Sequence, residues 1–172
     1  VTLLRGGSET VSDIRQRVAY MSEHPDRWRA GWLLWMLAAI SLAGFYLWWG
    51  TRMATHPPAI AFVIAGFGLA CDFAGESLFI MSMPAPNTTT YRTASLLTGG
   101  AGNGLYTVAA ILLTLASPTL RPFLRRWAWL TWTSGVALTV FTIADMPAGV
   151  VIASAALMML FIPWVVVMGA TQ

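Results

Sequence analysis

Gly31-Trp-Leu-Leu-Trp-Met-Leu-Ala-Ala-Ile-Ser-Leu-Ala-Gly-Phe-Tyr-Leu-Trp-Trp-Gly50 decides the fold. Its 20 residues carry no charge. As a helix rising about 1.5 Å per residue they span about 30 Å, the thickness of a bilayer's hydrocarbon core. Trp28, Trp32 and Trp35 stand at one end, Trp48 and Trp49 at the other. Tryptophan favours the membrane–water boundary, where its ring is apolar and its N–H finds a wet partner. The stretch therefore reads as a membrane-crossing helix, held at both interfaces by an aromatic belt.

Working outward, four more stretches have the length and apolarity to cross: about 58–83, 93–116, 127–144 and 147–168. Trp127 and Trp129 open the fourth, with Trp132 behind them, and Trp164 lies near the far end of the fifth; Trp127, Trp129 and Trp164 too read as interface anchors. The intervening segments carry turn signals: His56-Pro57-Pro58, Pro84-Ala85-Pro86-Asn87, two prolines and three arginines over 117–126, and a tight turn at Asp145-Met146-Pro147. The predicted fold is all-α, a polytopic bundle of five transmembrane helices over 31–172, preceded by a polar segment, 1–30.

Composition agrees. Of 172 residues 57% are hydrophobic and 10% charged, whereas a soluble domain carries about 25% charged residues. A chain so poor in charge must turn much of its surface away from water. The net charge of +3 comes from arginine alone, since the sequence holds no lysine. No basic patch interleaved with aromatics is present, which argues against nucleic acid. The single cysteine, Cys71, excludes an intrachain disulfide.

In the polar segment, Val11, Ile14, Val18 and Met21 recur at helical spacing, with Asp13, Arg17 and Glu23 read as lying off that stripe. Thr10 with Asp13 fits a capping pattern, and Pro25 ends the helix near His24. The expectation is a short amphipathic helix on the membrane surface; a loop between two spanning helices is the equal alternative. No apolar stretch follows the first arginine, so no signal peptide is expected.

Five crossings place residues 1–30, the loop before Arg92 and the turn at Asp145 on one face, here the proximal face. That face holds six arginines (5, 15, 17, 27, 29, 92) against four on the distal face (52, 121, 125, 126). The positive-inside rule then makes the proximal face cytoplasmic in a bacterial inner membrane.

The chemistry-bearing candidates are polar groups inside apolar spans. Asp72 and Glu76 lie four apart in the second span, on one helical face, with Gly68 and Gly75. Small residues allow a neighbouring helix to come close, so this face is expected to point inward. In the third span, Gly100 and Gly104 form a GxxxG spacing, and Gly99, Asn103 and Thr107 line an adjacent stripe. Topology collects Asp72, Glu76, Asn103 and Asp145 in the proximal half. A carboxylate at such depth costs about 2.5–3.5 kcal/mol on insertion scales. Two on one face repel if both ionise, so at least one is expected to be protonated or paired with a cation such as Arg92 or a bound ion. The pair is read as an ion or proton site, or as a helix contact; Asn103 as a packing hydrogen bond; and Asp145 as an interfacial cap of the fifth span.

No catalytic set is recognisable. His24 and His56 fall on opposite faces, and neither a HExxH nor a CxxC pattern occurs, so no metal site is expected and the sequence names no cofactor. The leading functional expectation is a non-catalytic membrane protein acting through helix contacts, as an accessory subunit of a larger membrane complex or as a homo-oligomer, with lipid as its surroundings. The alternative is a small proton- or cation-linked transporter using Asp72 and Glu76. A lipid-modifying enzyme ranks last, because no nucleophile accompanies the carboxyls.

Overall fold

The computed structural model describes residues 4–53, 58–82 and 87–171, and every regular element among them is helical. A 3-10 turn, Arg5–Gly7, leads into α1 (Ile14–Glu23), α2 (Pro25–Thr51), α3 (Ala59–Met81), α4 (Thr88–Ser95), a π-helical stretch (Leu96–Gly102), α5 (Asn103–Leu115), α6 (Pro122–Ile143) and α7 (Pro147–Thr171). Met83, the expected end of the second span, and His56 lie outside the described residues.

Helix starts follow local chemistry. Asp13, not Thr10, caps α1, its carboxylate accepting from the Arg15 N–H at 2.8 Å. Pro25 ends α1 and also takes the first position of α2, where a missing N–H costs nothing, so α2 begins six residues before the expected 31. The third span begins at Thr88 rather than 93, because the Asn87 side chain accepts from the Thr90 N–H at 2.9 Å.

Among the described residues, four helices are long and apolar enough to cross a membrane: α2, α3, the continuous rod Thr88–Leu115, and α7. The expected fifth, α6, has the length at 22 residues but not the apolarity. Arg125, Arg126 and five hydroxyl residues lower it. Each of those hydroxyls returns its proton to a carbonyl one turn back: Thr131 to Trp127, Thr133 to Trp129, Ser134 to Leu130, Thr139 to Gly135 and Thr142 to Leu138.

Successive long helices pack side by side, and the ends of the series meet through Phe45 and Trp49 of α2 against Phe161 and Trp164 of α7. The apolar stretches of α3 and the Thr88–Leu115 rod are 33% and 39% buried, against 17% for α2 and α7. The former pair therefore forms the centre. Large apolar side chains such as Leu37, Phe67, Ile152 and Met159 stay exposed on the outside, an arrangement that suits lipid.

Several expected interface anchors are interior. Trp28, Trp49 and Trp164 are each 1% exposed or less. Trp28 donates its indole N–H to the Phe79 carbonyl at 3.1 Å, and Trp164 to the Leu124 carbonyl at 3.0 Å. Another helix supplies the polar partner that interfacial water was expected to supply. Trp32, stacked on Phe79, Trp48 and Trp127 are half-buried, and Trp129 is exposed.

The polar segment is not a free surface helix. Its apolar stripe faces protein: Met21 is buried with Trp28, Phe79 and Tyr91, and Ile14 and Val18 pack on the same cluster. Arg17, expected off the stripe, is 4% exposed. Gly6, Gly7 and Gly31 allow the approach, since a Cβ on any of them would fall 2.3–2.5 Å from the side chains of Tyr20, Trp28 and Leu4 respectively. Residues 4–23 thus cover the proximal end of the bundle.

Candidate functional site

The face of α3 that carries Gly68, Asp72, Gly75 and Glu76 is buried along its length. It meets the glycine-rich rod at close range. A Cβ on Gly75 would lie 2.7 Å from the Ala94 carbonyl and from Thr98, and one on Gly68 would lie 3.1 Å from the Tyr106 ring. From the other side, Gly102 lies against Asp72, with a built Cβ 3.2 Å from the Asp72 Cβ. The rod is wound as a π-helix over Leu96–Gly102, beside the acidic face. Such turns are rare and tend to mark functional sites.

The other glycines of the rod point elsewhere. Built Cβ atoms on Gly99 and Gly104 would meet Thr142 and Thr139 at 2.9 and 3.3 Å, and Gly100 lies nearest Ile143. Asn103 faces the same way, its amide donating to the Gly135 carbonyl at 2.8 Å and the Thr139 hydroxyl at 2.9 Å. The rod therefore uses one stripe for α6 and another for α3, and Asn103 does not join the carboxyls.

Glu76 is fully enclosed, and neither carboxyl oxygen has a hydrogen-bond partner. Asp72, one turn earlier, is 6% exposed. Tyr106 of α5 stands at the same interface, its ring against Gly68, and its buried hydroxyl has no hydrogen-bond partner. Tyr106 is buried, and its backbone carbonyl accepts from the Tyr46 hydroxyl of α2 at 3.1 Å. Glu76 and Tyr106 thus bring unspent hydrogen-bonding capacity to the interface that also holds Asp72. Between Asp26 and Asp145 the chain holds no other acid. Sequence reasoning missed Tyr106; the available signal was a phenol four residues after Gly102, on the stripe that faces α3.

Arg92 does not neutralise the pair. It forms an exposed ion pair with Asp145 at 3.3 Å. Asp145 is also not a side-chain cap of α7. It sits at φ 55°, and the N–H groups of Asp145 and Met146 reach back to the Thr142 and Phe141 carbonyls at 3.2 and 2.9 Å, closing the C-terminus of α6. This is a Schellman ending, which needs a left-handed residue, and aspartate tolerates that conformation better than most.

No family model, curated protein or solved structure matches this chain.

A second polar cluster lies at the proximal end. Arg17 donates to the Val11 and Ser12 carbonyls and lies 5.4 Å from the Tyr91 ring centre. The Tyr91 hydroxyl contacts the Gly7 carbonyl and Glu9, each at 3.0 Å. Its donors and acceptors are largely matched, so it serves as a clamp. Among the described residues, no three His, Cys, Asp or Glu side chains gather in metal-binding fashion.

Proposed function

We propose that this chain is a membrane protein that binds and passes a proton or small cation through Asp72 and Glu76. The supporting observation is Glu76, enclosed in the apolar interior with both oxygens unpartnered. An ionised carboxylate there, without a donor, loses its hydration and gains nothing in return. The group is tolerable when it carries a proton or holds a cation, and a site that must be neutralised to be stable is suited to taking up and releasing charge. Intramembrane carboxyls of this kind mark ion pathways and proton relays. In reconstituted liposomes, Glu76→Gln and Asp72→Asn abolish ion flux while the protein stays folded; unchanged flux in both variants overturns the reading.

The same reading takes α6 as a fifth crossing. Its hydroxyls are internally hydrogen-bonded, its aromatic Trp127, Trp129 and Trp132 are apolar in bulk, and it lies between two apolar spans, α5 and α7. With five crossings the arginine excess puts the proximal face on the cytoplasmic side of an inner membrane.

A second reading is an accessory or self-associating subunit. The sparse burial of α2 and α7, 17% each, favours it, because two full helix faces remain for neighbouring helices as well as for lipid. The native mass of the gently extracted particle decides: a defined multi-subunit mass supports it, and a lone chain removes it.

A further inference from the structure

We propose that Tyr106 is the third member of the carboxyl site, its hydroxyl passing a proton between Glu76 and Asp72. This rests on the reading of Asp72 and Glu76 as a charge-binding pair, and it names the charge as a proton.

The argument begins with placement. The Tyr106 ring packs over Gly68, one turn before Asp72 and two before Glu76, on the buried face that carries both acids. Glycine at 68 is what leaves room for it. The residue is held from the other side, because the Tyr46 hydroxyl donates to the Tyr106 carbonyl, leaving the phenol itself uncommitted. Gly102, one turn before Tyr106 on the rod, lies directly against Asp72, so the phenol stands on the stripe of the rod that faces the acids.

The chemistry follows from the atom. A phenol oxygen donates and accepts in one place, which a relay needs. In the transfer, the O–H bond of protonated Glu76 breaks and its proton bonds to the Tyr106 oxygen. In concert the phenol's original O–H bond breaks and that proton bonds to an Asp72 carboxylate oxygen. One proton moves from Glu76 to Asp72, tyrosine is neutral before and after, and nothing is oxidised. A hard metal ion would ask for six or more oxygens. Here the face offers two carboxyls and one phenol, and among the described residues no third acid joins them.

The position in the fold gives this step a direction. Glu76 is five residues from the proximal end of α3 and Asp72 nine. Tyr106 is nine residues from the distal end of α5 and Tyr46 five from the distal end of α2. The polar side chains therefore step from one half of the bundle into the other.

The test uses the intact protein in liposomes loaded with a pH-sensitive dye, with tracer sodium measured in parallel. Tyr106→Phe keeps the ring over Gly68 and the carbonyl that receives Tyr46, so packing is retained. The expected result is wild-type proton flux, none in Glu76→Gln, and at least a tenfold loss in Tyr106→Phe, with a shifted infrared carbonyl band of the buried carboxyls. Wild-type flux in Tyr106→Phe beside a dead Glu76→Gln refutes the role of Tyr106 and leaves the carboxyl site standing. An unmoved carbonyl band also refutes it. Sodium flux without proton flux refutes the proton. Wild-type protein that passes neither ion refutes the carboxyl site and the relay together.

Discussion

Gly75 shows how single atoms position the site. A Cβ there would collide with the Ala94 carbonyl at 2.7 Å, a backbone atom that cannot swing aside. Alanine gains about 0.5–1 kcal/mol over glycine inside a helix, whereas forcing a packed contact costs about 1–3 kcal/mol. The clash wins, so Gly75→Ala lowers thermal stability in detergent by about 1–2 kcal/mol. At Gly44 nothing lies within 4 Å, and Gly44→Ala leaves stability unchanged or raises it by up to about 1 kcal/mol. Equal melting of the two variants would contradict the close approach of α3 to the rod. Asp145 gives a second residue-scale prediction. Asp145→Gly keeps the left-handed ending of α6 and loses an exposed ion pair worth about 0–1 kcal/mol. Asp145→Val adds a left-handed strain of about 1–2 kcal/mol. A thermal melt separates them, and a valine variant as stable as the glycine one contradicts the turn.

At the scale of elements, Arg17 ties α1 and the turn before it to Tyr91 of α4. Removing it strands the Val11 and Ser12 carbonyls and the buried face of Tyr91. Hydrogen bonds from a charged donor contribute about 1.5–3 kcal/mol each, so Arg17→Ala speeds amide exchange across residues 7–23 at least tenfold while the bundle keeps its protection. Arg17→Lys does not restore it, because an ammonium cannot spread across the same carbonyls and stack on the ring. Unaltered exchange in Arg17→Ala would show the proximal cover to be held by apolar contacts alone.

Arg17 also shows where sequence reading stops. It lies three residues after Ile14 and four before Met21, so helical spacing places it on the buried stripe; its charge argued for water instead. Its counter-charge, Glu9 at 3.8 Å, lies in the segment before the helix, and the ring it packs on, Tyr91, is 74 positions away. Three of the tryptophans, Trp28, Trp49 and Trp164, turn their rings into the bundle. Composition puts an indole at a place where an apolar ring and a polar N–H both have partners, but protein and membrane interface each meet that need. Local signals succeeded where the determinant was local: helix spacing placed Asp72, Glu76, Gly68 and Gly75 on one inward face, and Pro25 fixed the break after α1. Tyr106, the π-helical winding and the separate stripes of the rod depend on which helix lies opposite, and a single sequence does not record that.

At the scale of the whole molecule, five crossings place the α1 end and the α7 end on opposite membrane faces, and four place them together. In a Cys71→Ser background, single cysteines at Ser22 and Thr171 therefore react with an impermeant maleimide from opposite sides of sealed vesicles. Labelling of both from one side would remove α6 as a crossing. The architecture brings no bulk solvent to Glu76: it is covered from the proximal end by residues 4–23 and enclosed by helices around it. A group so placed is useful to a transporter only if charge reaches it and leaves it. The most direct measurement is proton flux into liposomes holding the purified protein, driven by an imposed pH gradient, wild type against Glu76→Gln. The account predicts flux that the wild type supports and Glu76→Gln abolishes while both proteins melt alike; equal flux in the two, or none in either, would contradict it.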